Sequence, residues 1–446
     1  MKKYDVGISG LWMTCNYGAA LTSYALYIVI HQMGYTPELI DHGGKPGLPA
    51  RFREQENIFR QFFIEKNIPT TRTLSEKSDF EELNSRYETF VVGSDQVWRY
   101  EYNKRLGLYF FLDFVSAAHK KIAYGSSFGT DKCFAPQHFR LDAALLLNCF
   151  DAVSCREING VDILKTQYSV DAKHVLDPVF LCPIEAYGQC LQDSKRKRPD
   201  KPYVLSYILN PDTDKRRIIQ HVACREGKDL INMVDAQFEF ENKKRALNLP
   251  NVVDNLSVDD WVFYIKHCDY LVTDSYHGLC FAILFKKPFV CVVHSSRGLS
   301  RLISLCESFG INERLVAPDV TAEQLDNMPG IEWESVHSIL QTRKSEDKKW
   351  LQCALEAERS ETKKLYNSLV DYLLQTRKES NELQKMLIEY CAYDKVKHKY
   401  WYYWFMSKIS WGKRRKKYKL KRMHLLLISA SIANRLELYS KMLISE

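Results

Sequence analysis

Short apolar runs that each close on a polar cluster, separated by helical stretches, constrain this chain more than any other feature. Tyr4 to Ser9, Thr36 to Asp41, Phe90 to Asp95, Lys121 to Ser127, Ala152 to Glu157 and His174 to Pro178 all read as strands. Asn16-Tyr17-Gly18-Ala19-Ala20 opens a helix running to about Met33. The alternation restarts at Tyr203 to Leu209 and continues through Asp229 to Val234, Val252 to Asp254 and Cys268 to Val272. Leu279 to Phe285 then reads as a helix, and Phe289 to Val293 as the next strand. Short buried strands alternating with helices predict doubly wound parallel sheets, an α/β fold. In such folds ligands bind at the carboxyl ends of the strands.

The polar, proline-punctuated stretch from Gln192 to Pro202 reads as a linker. It divides an N-terminal Rossmann-like domain over 1–191 from a second over 203–340, the two facing a cleft. Beyond about Gln341 the character changes. Leu365, Leu369 and Leu373 recur at helical spacing, so Ser345 to roughly Lys385 reads as amphipathic helix. The expected extent of this helical extension is 341–394, and 395–446 forms a tail. Helices packed on the domains are favoured over a partner-binding coiled coil.

With 446 residues, the chain is long enough for two domains and a sizeable core. Its thirteen cysteines include no Cys-x-x-Cys pair and lie mostly in apolar runs, which points to buried reduced thiols. The start leads directly into a strand, and no stretch reaches the roughly 18 to 20 apolar residues of a membrane span. A cytoplasmic protein is expected. The net charge of +8 is unevenly placed. Thirteen of the 63 basic residues fall between Lys395 and Leu436, where no acidic residue occurs, leaving 50 basic against 55 acidic elsewhere.

The segment Thr273-Asp274-Ser275-Tyr276-His277-Gly278 follows a buried strand and precedes a helix. Ser275 can cap that helix, whose first N–H groups attract anions. His277 can titrate near neutral pH; a hydrogen-bonded structural histidine is the plainer reading. Gly93-Ser94-Asp95-Gln96-Val97-Trp98 places a hydroxyl, a carboxylate and an amide at another strand end. There the plainer reading is a helix cap with Trp98 packed beneath. Asn16-Tyr17-Gly18 suits a phosphate or a sugar at a helix start, since glycine permits close backbone approach. Arg156, Arg297 and Arg301 are potential anion clamps, a guanidinium fork matching carboxylate or phosphate. Neither a G-x-G-x-x-G fingerprint nor a Walker A sequence occurs. No cluster has metal-site spacing, and no Asp-x-Asp is present for a metal-bound nucleotide sugar. No cofactor or metal is expected.

Six motifs in order resemble the polysaccharide pyruvyl transferase family: Asn16-Tyr17-Gly18-Ala19, Gly93 to Trp98, Tyr124-Gly125-Ser126-Ser127-Phe128-Gly129, Ser154-Cys155-Arg156-Glu157, Asp177-Pro178-Val179-Phe180-Leu181 and Asp274 to Gly278. They span residues 4 to about 315. The resemblance implies a fold like the B-type glycosyltransferases. It also implies transfer of the pyruvyl group of phosphoenolpyruvate onto two hydroxyls of one sugar, giving a cyclic ketal and inorganic phosphate. On that reading His277 is the general acid/base. Arg156, Ser275, Tyr276, Gly278, Arg297 and Arg301 face the donor. Asn16, Tyr17, Gly18, Ser94, Asp95 and Gln96 face the acceptor, a lipid-linked or oligosaccharide precursor. One departure stands out: other branches of the family carry an arginine two residues before the histidine, where this chain has Ser275.

Tyr400-Trp401-Tyr402-Tyr403-Trp404-Phe405 followed by Lys413-Arg414-Arg415-Lys416-Lys417 combines interface-seeking aromatics with clustered charge. Peripheral attachment to the anionic inner face of the membrane is the leading reading of this tail. A solvated basic tail or a helix packed on the body comes next, and single-strand nucleic-acid binding last. Two readings compete with pyruvyl transfer: a nucleotide-sugar-dependent glycosyltransferase on the same architecture, and a catalytically idle scaffold held through the tail.

Overall fold

The computed structural model describes residues 4–12, 16–42, 57–74, 77–234, 240–254, 256–293, 298–359, 361, 363–374 and 376. Residues 1–371 form one compact unit and 372–446 a second.

The first unit holds two parallel sheets. The first comprises β1 (Val6–Ser9), β2 (Pro37–Ile40), β3 (Thr89–Val92), β4 (Lys120–Ser126), β5 (Ala152–Cys155) and β6 (Lys173–His174), in the order β2-β1-β3-β4-β5-β6. The second comprises β7 (Tyr203–Ile208), β8 (Asp229–Val234), β9 (Tyr270–Thr273), β10 (Phe289–Val292) and β11 (Leu315–Val316), in the order β11-β10-β9-β7-β8. Every pairing is parallel. The central strands β1, β3, β9 and β10 are buried along their whole length, which is why they read as unbroken apolar runs.

The two halves share one hydrophobic core. Tyr17, on the Tyr17–Gln32 helix of the first half, stacks on Trp261 of the second with ring centroids 6.0 Å apart. Trp261 also meets Tyr207 at 5.3 Å and Phe281 at 5.2 Å, and Phe281 meets Tyr187 at 5.0 Å. Aromatic pairs of this kind contribute about 0.5–1.5 kcal/mol each beyond their burial. A separate core under the Thr213–Glu226 helix joins Ile218, Ile219 and Val222 to Val204, Val272 and Val290.

Several boundaries differ from the sequence reading. His174 to Pro178 is not one strand: β6 ends at His174, and Asp177 instead caps a short Pro178–Leu181 helix, accepting from Val179 N at 3.1 Å. Proline at the first helical position, behind a capping aspartate, is a helix start that a buried flank disguised. Val252 to Asp254 pairs with β8 only through a bridge from Asn232 to Val252. The long C-terminal helix spans Trp333–Glu356, beginning well before Ser345, and breaks at 357–359. It crosses back to the first half, where Asp347 accepts from Leu176 N at 2.7 Å. Leu365 and Leu369 are exposed. The expected linker is held down at Arg196, whose Nε donates to Asp260 at 3.2 Å. The described cysteines are free thiols, most of them buried. Among the described residues no helix is long and apolar enough to cross a membrane; the basic aromatic tail lies outside them.

Candidate active site

Five strand ends converge on one buried cluster. The loops after β3, β5, β6 and β9 supply Ser94 and Asp95, Arg156, Asp177, and Tyr276 and His277, while the loop after β4 braces them. Asp95 sits in the left-handed region at φ 81°, costly for a non-glycine residue. Its carbonyl accepts from Val97 N at 2.8 Å and Ser127 N at 3.0 Å, and Trp98 N donates to the Ser127 carbonyl at 3.0 Å. These bonds fasten the loop and fix where the carboxylate points. Trp98 is packed beneath, as the plainer reading expected, but Asp95 caps no helix; its carboxylate goes to Arg156 instead.

Arg156 is the hub. Its side chain is fully buried. Nη1 donates to Asp177 Oδ2 at 2.7 Å and to Ser94 Oγ at 3.2 Å, Nη2 to Asp95 Oδ1 at 3.0 Å. The guanidinium lies over the Tyr276 ring, 4.4 Å from its centroid. Asp177 is fully buried and also accepts from Thr22 Oγ1 and Ser94 Oγ, both at 2.8 Å. Burial pushes the Asp177 carboxyl up, but the His277 and Arg156 partners outweigh it and hold it well below the usual carboxylate range. Asp95 follows the same pattern: burial opposes ionisation, and Arg156, His277 and Arg301 overcome it. For Glu157 burial wins, and its carboxyl is raised.

His277 stands at the edge of this cluster, 6% exposed. Its Nε2 lies 3.6 Å from Asp177 Oδ2 and 3.5 Å from Arg156 Nη1. The first separation is an ion-pair distance, long for a hydrogen bond. On the other side the imidazole meets the backbone of Gly18, where a Cβ would lie 2.0 Å from His277 Nδ1. Gly18 thus permits a close approach, and the neighbour it meets is a histidine of the second half. Ser275 caps the Tyr276–Leu284 helix, its Oγ accepting from Gly278 N at 3.2 Å. The helix thus begins before Gly278, and that N–H is already satisfied. Arg301, on the Leu299–Phe309 helix, comes within 5.8 Å of the Tyr276 ring centroid. Burial and the like charge of Arg156 both depress its guanidinium.

The remaining candidates divide. Asn16 caps its own helix, accepting from Ala19 N at 3.2 Å. Tyr17 points into the shared core, donating to the Leu256 carbonyl at 3.1 Å. Gln96 accepts from Arg99 at 2.9 Å and packs against Gly129. Arg297 lies outside the described residues. Asp274 turns away from His277, accepting from Leu209 N at 2.6 Å and pairing with buried Lys215 at 3.0 Å. Asp177 was not singled out from sequence as a site residue, although an aspartate directly before a helix-starting proline was the available signal. Among the described residues no group of three or more His, Cys, Asp or Glu side chains is placed to hold a metal ion.

Comparison with known proteins bears on the whole of this region. The family model described as "Polysaccharide pyruvyl transferase" matches residues 16–296, from the Asn16 helix start to just beyond β10. No curated protein matches. Among solved structures, a putative UDP-N-acetylglucosamine 2-epimerase from Listeria monocytogenes aligns at 12% identity with a TM-score of 0.46, over 85% of this chain and 97% of its own. A glycosyltransferase from Rickettsia africae aligns at 12% identity with a TM-score of 0.42, over 83% and 97%. The UDP-GlcNAc 2-epimerase of Methanocaldococcus jannaschii in complex with UDP-GlcNAc and UDP aligns at 12% identity with a TM-score of 0.43, over 77% and 94%.

Proposed function

This chain belongs to the polysaccharide pyruvyl transferase family, a family of transferases, and we propose that it moves the pyruvyl group of phosphoenolpyruvate onto two hydroxyls of one sugar in a surface-polysaccharide precursor. The reading is supported above all by His277, held at a strand end between the Gly18 backbone and the Arg156–Asp177 pair. A protonated His277 delivers its proton to the methylene carbon of the donor, which becomes a methyl group. The central carbon turns electrophilic, and one sugar hydroxyl adds to it as its proton passes to the imidazole. The second hydroxyl then displaces phosphate, closing the ketal, and its proton leaves with the phosphate. A positioned acid of this kind contributes about 10²- to 10⁴-fold in rate. Asp177 stabilises the imidazolium and fixes its orientation.

Arg156 is assigned a supporting part in gripping the donor, since two carboxylates already share its charge. Arg301 is assigned the direct part. It is half-buried beside a second cation, and a donor carboxylate or phosphate placed between them relieves that repulsion. Arg301 thereby takes over the work of the arginine that other branches place where Ser275 stands. The acceptor is assigned to the Asp95–Gln96 loop. The tail of residues 395–446, basic and aromatic, is assigned to the anionic inner membrane surface, where lipid-linked acceptors reside.

The test is acceptor-dependent release of phosphate from phosphoenolpyruvate, run beside thermal shifts with phosphoenolpyruvate and with UDP. Release, with stabilisation by phosphoenolpyruvate alone, is expected. Stabilisation by UDP alone, without phosphate release, overturns the proposal in favour of a nucleotide-sugar enzyme.

A further inference from the structure

A cleft of about 280 Å³ opens at the other end of the second sheet, beside Tyr270 at the start of β9 and Pro288 just before β10. His277 follows the carboxyl end of the same strand, so the cleft lies apart from the site described above. One part of its wall is apolar, formed by Pro288, Met328, Ile331, Trp333 and the Tyr270 ring, and the rest is polar.

Arg314 also lines this cleft and is only 4% exposed. Among the described residues no hydrogen bond reaches its guanidinium: Nε is buried without a partner, and the nearest carboxylate, Glu313, stands 3.9 Å away. A nearly buried guanidinium with an unpartnered Nε is costly, and the cost falls when an anion arrives to fill its donor fork. The neighbouring Arg225 is already occupied, donating to the Leu325 carbonyl at 2.7 Å and to Glu226 at 2.8 Å while lying over Tyr270 at 5.1 Å. Two carboxylates, Glu226 and Asp326, line the cleft as well; the first pairs with Arg225 and Lys228, the second with His221 at 2.8 Å. They neutralise the surplus charge and disfavour a multiply charged ligand.

We propose that this cleft is a second ligand site that takes a small organic monoanion, its carboxylate held by Arg314 and its apolar or aromatic body lying against Tyr270 and Trp333. The volume suits such a body, since a cavity of roughly 150 Å³ already accepts benzene.

Titration calorimetry of the full chain with benzoate and indole-3-carboxylate, against benzamide and indole-3-carboxamide, tests the idea. Saturable binding of the acids, at least tenfold tighter than the neutral amides and at least tenfold weakened by Arg314→Gln, is expected. Arg314→Met supplies an independent readout. It should hold or raise the thermal midpoint of the unliganded protein, because it removes an unsatisfied buried charge. Failure of both acids to bind, equal binding to Arg314→Gln, or a lowered midpoint for Arg314→Met overturns the proposal.

Discussion

Gly18→Ala is the smallest change that should disable the proposed chemistry. A Cβ at this position lies 2.0 Å from His277 Nδ1, 2.3 Å from its Cγ and 2.7 Å from its Cβ. Non-bonded carbon and nitrogen settle near ~3.5 Å, so the imidazole or the helix start must yield by about 1.5 Å. The ring cannot simply retreat. Arg156 Nη1 and Asp177 Oδ2 stand 3.5 and 3.6 Å from its far nitrogen, inside a buried hydrogen-bonded cluster. Overpacking of this sort costs about 1–3 kcal/mol, and a misplacement of about 1 Å at a reacting group costs about 10²-fold in rate. The assay is phosphate release from phosphoenolpyruvate, with kcat and KM resolved and the thermal midpoint followed in parallel. Gly188→Ala is the control, since nothing lies within 4 Å of a Cβ there. We expect kcat to fall about 100-fold or more in Gly18→Ala with the fold retained, and Gly188→Ala to match the parent. A Gly18→Ala protein with parental turnover and midpoint would refute the contact and the role built on it.

Four further outcomes follow from the same geometry. His277→Ala should abolish turnover while leaving the circular dichroism spectrum of the folded protein unchanged, and near-normal activity in that variant would remove the acid/base assignment. Asp177→Asn should cost about 3 kcal/mol at neutral pH, as losing one partner of a buried pair does. Because its folded-state pKa is depressed, Asp177 stabilises the protein above the ordinary carboxylate value of about 3.9, and that stability is lost as pH falls through the lower folded value; denaturant titrations below pH 4 should therefore be less pH-dependent in Asp177→Asn. His174 carries the opposite charge type: burial and Arg343 push it down to about 4. The unfolded chain binds the extra proton between about pH 6.5 and 4, so stability falls as pH drops through that window, and His174→Gln should flatten the slope measured there. Arg301→Gln should raise KM for phosphoenolpyruvate at least tenfold with a smaller effect on kcat, and an unchanged KM would return the donor grip to Arg156.

Much of the frame was legible because parallel sheets write themselves plainly. Strands such as Phe90-Val91-Val92 and Phe289-Val290-Cys291-Val292 are buried on both faces, so they appear as continuous apolar runs ended by polar residues. His277 and Arg156 were legible for the same reason, each standing directly after such a run. What sequence concealed was partnership between distant segments. Asp177 meets Arg156 across adjacent strand ends of the first sheet, and His277 only after the chain has crossed to the second. Asp95 and Arg156 were assigned to opposite substrates, yet they bond to each other at 3.0 Å. Tyr17 was read as sugar-facing from its neighbours, whereas its ring belongs to the aromatic core that joins the halves. The Pro178–Leu181 helix was hidden because an apolar run of that length fits strand and buried helix alike.

The charge balance of the cluster also explains how Ser275 can stand where other branches carry arginine. Arg156 is flanked by Asp95 and Asp177 and is neutralised before any substrate arrives. A third buried cation on the same loop would stand unpaired at the start of the Tyr276–Leu284 helix, where the helix dipole is already positive. Ser275 avoids that conflict by capping the helix with a neutral hydroxyl. Arg301 brings positive charge to the same Tyr276 ring from a different helix, at 5.8 Å against 4.4 Å for Arg156. Restoring the arginine therefore should not add to the donor grip. Ser275→Arg ought to lose the cap, worth about 1 kcal/mol, and to place like charge beside Arg156, lowering the thermal midpoint. Only if it tightened phosphoenolpyruvate binding at unchanged stability would Arg301 be shown to do some other work.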